Sequence, residues 1–373
     1  MSTTWNLSSS QSNRLRRTVE GLLEEAGVHI DGNDPWDMRV FNEEFYGRVL
    51  RQGSLGLGES YMERCWDVGN LEELIYRLLT ARVEERVSRW QYVIAYLAAA
   101  LFNRQRRSRA HLVGERHYDI GNDLYERMLD SRMIYSCGYW EGASTLEEAQ
   151  RAKLDLVFRK LALQPGQRVL DVGCGWGGAL EYAAREYGVE GVGITISREQ
   201  ADYARKRYAG LPIEIRLQDY REMRGDFDHI YSIGMFEHVG PKNYRTYMQT
   251  MRRCLRPGGR FLLHTIGANR ASAVQDNDPW IEKYIFPNSK LPTKAQIATA
   301  VDGLFDVVGR QAIGTHYVRT LRAWRTNFER HWPTLRATRD DTFFRMWEFY
   351  LNSSAATFRA GRNDVWQILL TPA

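Results

Sequence analysis

Apolar residues near the start of the chain follow a helical period. Leu15, Val19, Leu22 and Leu23 share one face, and Gly27 suits the position just past a helix end. Residues 28–30 and 36–40 alternate like short strands around the turn Asp31-Gly32-Asn33-Asp34-Pro35. Helical spacing returns over 43–51, 59–65 and 71–81, and a longer helix is expected over 83–102. This pattern predicts a disordered start over 1–13, then a small, mostly helical domain over 14–100 that carries no obvious chemistry.

The texture changes from about residue 110. An amphipathic helix is expected over 146–161, and an apolar, β-rich run over 168–172 ends in Gly173-Cys174-Gly175-Trp176-Gly177-Gly178. Further strands are expected over 189–194, 213–217, 227–233 and 260–265. Helices running to 187 and over 198–208 and 244–255 separate them. Strands alternating with helices of this length make an α/β, doubly wound parallel sheet.

Composition narrows the classes. Of 373 residues, 43% are hydrophobic and 12% aromatic, which excludes disorder as the main state. The longest apolar run, 92–102, is far short of the ~20 residues that a spanning helix requires. The polar opening lacks the apolar core of a secretory signal. Cys65, Cys137, Cys174 and Cys254 show no metal or disulfide spacing, so no metal site is expected and the expected compartment is a reducing cytoplasm. A net charge of +5 is mild and does not demand nucleic acid. Arg104, Arg106, Arg107, Arg109 and Arg116 nevertheless crowd into a basic linker over 101–116. Two readings of it stand: a contact for an anionic membrane surface, or a solvated connection.

In a doubly wound sheet, ligands bind beyond the carboxyl ends of the strands. The first such end here reads Asp171-Val172-Gly173-Cys174-Gly175-Trp176-Gly177-Gly178. Its glycines permit a tight strand-to-helix turn, but neither the dinucleotide spacing nor a P-loop lysine is present. The string resembles motif I of S-adenosylmethionine-dependent methyltransferases, and Arg256-Pro257-Gly258-Gly259 before a strand is a second feature of that kind. In that family the turn, here Gly173, Gly175 and Gly177, binds the methionine end of the donor, and the acid, here Asp171, orients its polar groups. Many members carry an acid for the ribose at the end of the second strand. Here Thr195 and Gln200 stand in that region, and Asp219 and Tyr220 are placed to meet the adenine.

Several strings outside the generic fold are distinctive: His117-Tyr118-Asp119-Ile120-Gly121-Asn122-Asp123, Tyr135-Ser136-Cys137-Gly138-Tyr139-Trp140, Gly234-Met235-Phe236-Glu237-His238-Val239-Gly240 and Leu263-His264-Thr265-Ile266-Gly267. They closely resemble the cyclopropane-fatty-acyl-phospholipid synthases, and the likeness runs from about residue 15 to about 370. It implies a catalytic domain over 117–373 with helical insertions forming a lipid pocket, and an accessory or lipid-binding domain before it. The implied reaction starts when the cis double bond of a phospholipid acyl chain attacks the methyl of S-adenosylmethionine. The resulting carbocation then loses a proton to a bound bicarbonate, and a cyclopropane ring closes. Such chemistry demands proximity, a dry pocket and one base. Positions matching the bicarbonate ligands are Cys137, Glu237, His264, Ile266 through its backbone, and Tyr317, while Tyr135 and Ser136 fall on the donor side. The resemblance also implies a homodimer at the inner face of the cell membrane, working on a bilayer with unsaturated acyl chains and not on nucleic acid.

Bland readings stand beside these. Glu237 can cap the turn that follows it, Cys137 can be a small buried hydrophobe, and His264 can be a core histidine. Tyr135, Tyr139, Trp140 and Phe236 can stabilise a cation or simply pack. Competing functions are a fatty-acyl C-methyltransferase giving methyl-branched lipid, a nucleic-acid methyltransferase and a lipid-binding protein without activity.

Overall fold

The computed structural model of the protein describes residues 9–87, 120–269 and 278–373. Of the disordered start expected over 1–13, residues 1–8 lie outside the described residues, whereas 9–13 open the helix Ser9–Glu24. The basic linker also lies outside them, as do Tyr92–Phe102 and His117–Asp119. The chain divides into two compact units. One joins residues 1–112 to 278–287 and 332–360, and the other holds 113–277, 288–331 and 361–373. The sequence suggested a single domain over 117–373. The difference arises because apolar faces late in the chain bury themselves among the N-terminal helices.

In the first unit the helices Ser9–Glu24, Glu44–Gln52, Ser54–Met62 and Leu71–Thr80 pack with Pro279–Tyr284 and Asp341–Arg359. Its strands are β1 (Met38–Val40) and β2 (Trp66–Val68), paired antiparallel. The expected strand at 28–30 supplies only a single bridge, Ile30 to Met38. Trp66 selects the pairing: it is fully buried beside Phe45 and Tyr61, and its indole N–H donates to the Ser60 hydroxyl at 3.0 Å. Arg345 reaches into this core, donating to the carbonyls of Tyr61 (2.6 Å) and Trp66 (3.1 Å). Its guanidinium lies 3.7 Å from the centre of the Tyr61 ring, a cation–π contact.

The second unit is built on β3 (Arg168–Val172), β4 (Glu190–Thr195), β5 (Ile213–Leu217), β6 (Phe227–Ile233), β7 (Leu255–Ala268), β8 (Phe305–Ala312) and β9 (Asn363–Pro372). Their order is β5-β4-β3-β6-β7-β9-β8. Strands β3 to β7 are parallel, as the alternating pattern required. The last strand, β9, runs antiparallel to both β7 and β8. The Pro257-Gly258-Gly259 turn is an excursion within β7, because Leu255 pairs with Phe227 and the next paired residue, Arg260, with His229. Gly258 makes it possible with a φ of 77°.

Both faces of this sheet are apolar. Leu170, Val172, Ile230, Phe261 and Leu263 pack under the helices Tyr244–Cys254 and Lys294–Val301. Val169, Tyr231 and Leu262 pack on the other face, under Leu146–Leu161, Gly178–Tyr187 and Arg198–Arg207. Thr145 and Glu148 form a capping box that fixes where the first of these helices begins. The strand order reverses between β3 and β6, which opens a crevice at their carboxyl ends.

Gly178, at the start of the helix beyond the glycine turn, has no room for a methyl group. A Cβ there would lie 2.1 Å from the Arg132 carbonyl oxygen. Gly178→Ala should therefore cost about 1–3 kcal/mol, the usual range for overpacking. Gly21→Ala, in a helix with open space around it, should instead stabilise by about 0.5–1 kcal/mol. Urea unfolding of both full-length variants checks this pair, and equal midpoints would contradict it.

Candidate active site

The crevice is lined first by the turn after β3. Gly173 has a φ of 85° and Gly175 one of 54°, values that L side chains rarely adopt. The amides of Gly173 and Cys174 both donate to the Ile194 carbonyl, at 3.0 and 2.9 Å, which ties the turn to the end of β4. A Cβ on Gly175 would meet nothing within 4 Å, so this part of the turn faces open space. A Cβ on Gly173 would lie 2.6 Å from the Met235 side chain, so the turn abuts the segment after β6. Gly177, with a φ of 82°, precedes the helix Gly178–Tyr187. Asp171, in β3, is buried, and burial pushes its carboxyl up to about 7 against the pull of the Tyr231 hydroxyl and the Lys153 ammonium.

Thr195 and Gln200 come together at the end of β4. The Thr195 hydroxyl donates to Gln200 Oε1 at 2.9 Å, and both side chains are buried. Asp219 is half-buried after β5. Its carboxylate accepts from the Arg221 amide at 2.8 Å and pairs with the Arg221 guanidinium at 2.8 Å. Tyr220 turns its ring into the core, edge-on to Tyr247 at 5.1 Å.

Glu237 sits in a short 3-10 turn, Phe236–His238, directly after β6. Glu237 does not take the capping role, because the N-cap positions of this turn and of the two elements after it are Met235, Gly240 and Asn243, and the Glu237 side chain reaches β7 instead. Its Oε1 accepts from the Ile266 amide at 2.6 Å, while Oε2 is buried without a hydrogen-bond partner. Burial pushes this carboxyl up to about 7 despite the Ile266 amide. The Ile266 N–H, which sequence reasoning offered to a bound anion, is thus donated to Glu237.

His264 is buried in β7, and its Nδ1 lies 3.3 Å from Gln367 Nε2 on β9. Burial, with Lys153 and Lys160 nearby, holds the imidazole neutral. Cys137 is fully buried, and its thiol contacts the carbonyls of Gly138 (3.3 Å) and Ile313 (3.7 Å). Burial keeps it protonated, so no reactive thiolate is formed. Cys137, Glu237 and His264 thus each bond other partners.

Tyr317 ends an aromatic run. Its ring meets Trp324 at 5.8 Å, Trp324 meets Tyr135 at 5.0 Å, Tyr135 meets Tyr125 at 5.2 Å, and Tyr125 meets Trp176 of the glycine turn at 4.8 Å. The run joins Tyr135, expected on the donor side, to Tyr317, expected on the acceptor side. Phe236, by contrast, stacks on Tyr244 at 4.3 Å within the core.

Sequence reasoning missed Gln150 and Lys153. Both lie on the buried face of Leu146–Leu161 with Leu154, Val157 and Phe158. Gln150 Nε2 donates to the Ser136 carbonyl at 2.8 Å, and Lys153 Nζ donates to the Ser136 hydroxyl at 3.0 Å. The signal was available: two polar residues fall on the apolar stripe of an otherwise regular amphipathic helix.

Comparison with known proteins identifies the family. Residues 105–368 match the family described as mycolic acid cyclopropane synthetase. The chain is 47% identical over 356 residues to the cyclopropane-fatty-acyl-phospholipid synthase of Escherichia coli (strain K12), covering 95% of this chain and 93% of that protein. It is 33% identical over 388 residues to the tuberculostearic acid methyltransferase UfaA1 of Mycobacterium tuberculosis (strain ATCC 25618 / H37Rv), covering 96% and 90% of the two chains. The solved structure of mycolic acid cyclopropane synthase CmaA1 complexed with SAH and CTAB superposes with a TM-score of 0.64 at 31% identity, covering 70% of this chain and 99% of that one. From the sheet order, the glycine turn and these matches, the chain belongs to the cyclopropane synthase family of methyltransferases.

Proposed function

We propose that this enzyme converts cis double bonds in phospholipid acyl chains into cyclopropane rings, with S-adenosylmethionine as the one-carbon donor and bicarbonate as the base. The observation that carries this reading is Glu237: a fully buried carboxyl with one oxygen unpartnered, beside the segment that touches the glycine turn. A relative solved with SAH supports the donor. The E. coli relative, at 47% identity, favours ring formation on phospholipid over the methyl-branched product suggested by the name of the 33% identical UfaA1.

The residues fit both small molecules. The open face at Gly175 admits the donor's methionine end, with Asp171 at its head. Thr195 and Gln200 offer neutral hydrogen-bonding groups for the ribose, and Asp219 borders the adenine, with Tyr220 contributing its backbone only, because its ring lies in the core. Around the free Glu237 oxygen, His264, Cys137 and Tyr317 would hold the bicarbonate, Cys137 as a neutral thiol and His264 as a neutral imidazole. When bound, the donor supplies an electrophilic methyl and bicarbonate supplies a proton acceptor. The protein's own task is to exclude water and to fix these groups before reaction. With its pKa near 7, Glu237 can carry either protonation state at neutral pH and so can accept a hydroxyl proton from the anion. Rings of the Tyr135–Tyr317 run offer π faces to a developing cation, at about 0.5–2 kcal/mol each.

No helix among the described residues is long and apolar enough to cross a membrane. We place the enzyme as a homodimer on the inner membrane face, with the Arg104–Arg109 cluster as its electrostatic contact. The first unit is the accessory, lipid-facing part.

Four outcomes test this reading. Glu237→Gln should lower turnover on unsaturated phospholipid by about 10²–10⁴-fold, the range for a lost acid–base group, with calorimetric donor affinity unchanged. The same variant should also change how stability depends on pH. A carboxyl raised from 4.5 to about 7 keeps in the folded state a proton that the unfolded chain releases, so stability falls as pH rises across that window. Glu237→Gln should flatten this slope in unfolding titrations. Wild-type enzyme in rigorously carbonate-free buffer should stall and recover when bicarbonate is added; full turnover without carbonate would eliminate the proposed base. Neutralising Arg104, Arg106, Arg107 and Arg109 together should weaken co-sedimentation with anionic vesicles. The loss should be about 1 kcal/mol per residue near the surface, and most evident at low salt. Unaltered sedimentation at every salt concentration would mark the cluster as a solvated connection.

A further inference from the structure

Lys153 is fully buried, yet among the described residues it has no ion pair. The Ser136 hydroxyl, at 3.0 Å, is its hydrogen-bond partner, although an ammonium carries three donors. Burying such a group costs several kcal/mol unless nearby negative charge offsets it. Two carboxyls face it: Asp130, which follows the helix Asn122–Met128, and Asp171 in β3. Asp130 already accepts from the backbone amides of Ile134 (2.7 Å) and Arg132 (3.4 Å). Asp171 leans more heavily on Lys153, since only the Tyr231 hydroxyl and this ammonium oppose the effect of its burial.

The geometry points to Lys153 as a positioning residue for the methyl donor. One of its N–H groups fixes the Ser136 hydroxyl under the Tyr135–Cys137 segment, and its charge faces Asp171 at the head of the glycine turn. A single side chain thereby couples two segments that hold the donor. This inference rests on the reading of the glycine turn as the donor site.

The charge balance around the pair is defined. Lys153 faces Asp130, Cys137, Asp171 and His264, while Asp171 faces Lys153, Tyr231, Cys174 and Tyr247. The thiols and phenols are held protonated by burial, and His264 is neutral. Burial raises the Asp171 carboxyl to about 7 and lowers the Lys153 ammonium, whose charged form Asp130 and then Asp171 favour. Removing the ammonium leaves the carboxylate without its counter-charge and moves its ionisation to higher pH.

The test is calorimetric titration of S-adenosylmethionine into the full-length wild type, Lys153→Met, Lys153→Arg and Asp171→Asn across neutral pH. In wild type, affinity should fall on the acid side as Asp171 takes up a proton. Lys153→Met should move that limb upward by about one unit, which makes binding about fivefold weaker than wild type at the wild-type midpoint and about tenfold weaker further to the acid side. Lys153→Arg should restore the limb even where turnover remains low, a rescue that a purely packing role would not produce. Asp171→Asn should bind weakly and without the acid limb. An unmoved limb in folded Lys153→Met, or a persisting limb in Asp171→Asn, overturns the proposal while leaving the donor site standing. The Asp171→Asn arm decides alone if Lys153→Met does not fold. Absence of donor binding in wild type would defeat the donor-site reading, and this inference with it.

Discussion

Exclusion of water from the carboxyl ends of β3 and β6 sets the character of every ionisable group around them. Asp171 and Glu237 are both driven toward neutrality by burial, to about 7 in each case. His264 is kept neutral, Cys137 is kept protonated, and Lys153 is lowered to about 8. None of these states follows from residue type. Each follows from a sheet apolar on both faces, with the helix Leu146–Leu161 laid across one of them. The cationic carbon of the proposed reaction would require such a place, since water would compete both as nucleophile and as base.

Strands β3 to β7 were legible because each pairs with neighbours in a repeating strand–helix unit, and the local pattern carries that information. The strands β8 and β9 were not. Residues 305–312 alternate between one buried face and solvent, which reads weakly at a sheet edge, and the reversed direction of β9 leaves no local trace. The pairing of β1 with β2 was missed for a related reason. Residues 28–30 look like a better strand than 66–68, but the burial of Trp66 decides the partner.

The site divides along the same line. The glycine turn was readable because its backbone angles restrict the choice of residue at Gly173, Gly175 and Gly177. Partnerships across the sheet were hidden. His264 meets Gln367 only through the antiparallel register of β7 and β9, and Glu237 takes the Ile266 amide only because β6 and β7 lie side by side. Lys153 was in plain view on an apolar stripe. Its role is not written in any motif string, because it depends on which segment lies opposite the buried face of Leu146–Leu161.

The discontinuity of the first unit bears on how the chain is made. Tyr61 and Trp66 emerge from the ribosome long before Arg345, whose guanidinium bonds the carbonyls of both. At about 5–20 residues per second, that interval is on the order of tens of seconds. Through it, the helices Ser54–Met62 and Leu71–Thr80 lack the helix Asp341–Arg359 that covers them in the finished protein. Their apolar faces are then open to chaperones, to other nascent chains and to proteases. The second unit waits as well, because β9 is the last strand to appear and sits between β7 and β8. A stop codon anywhere before the helix Asp341–Arg359 would therefore leave both units unfinished, not one complete and the other missing.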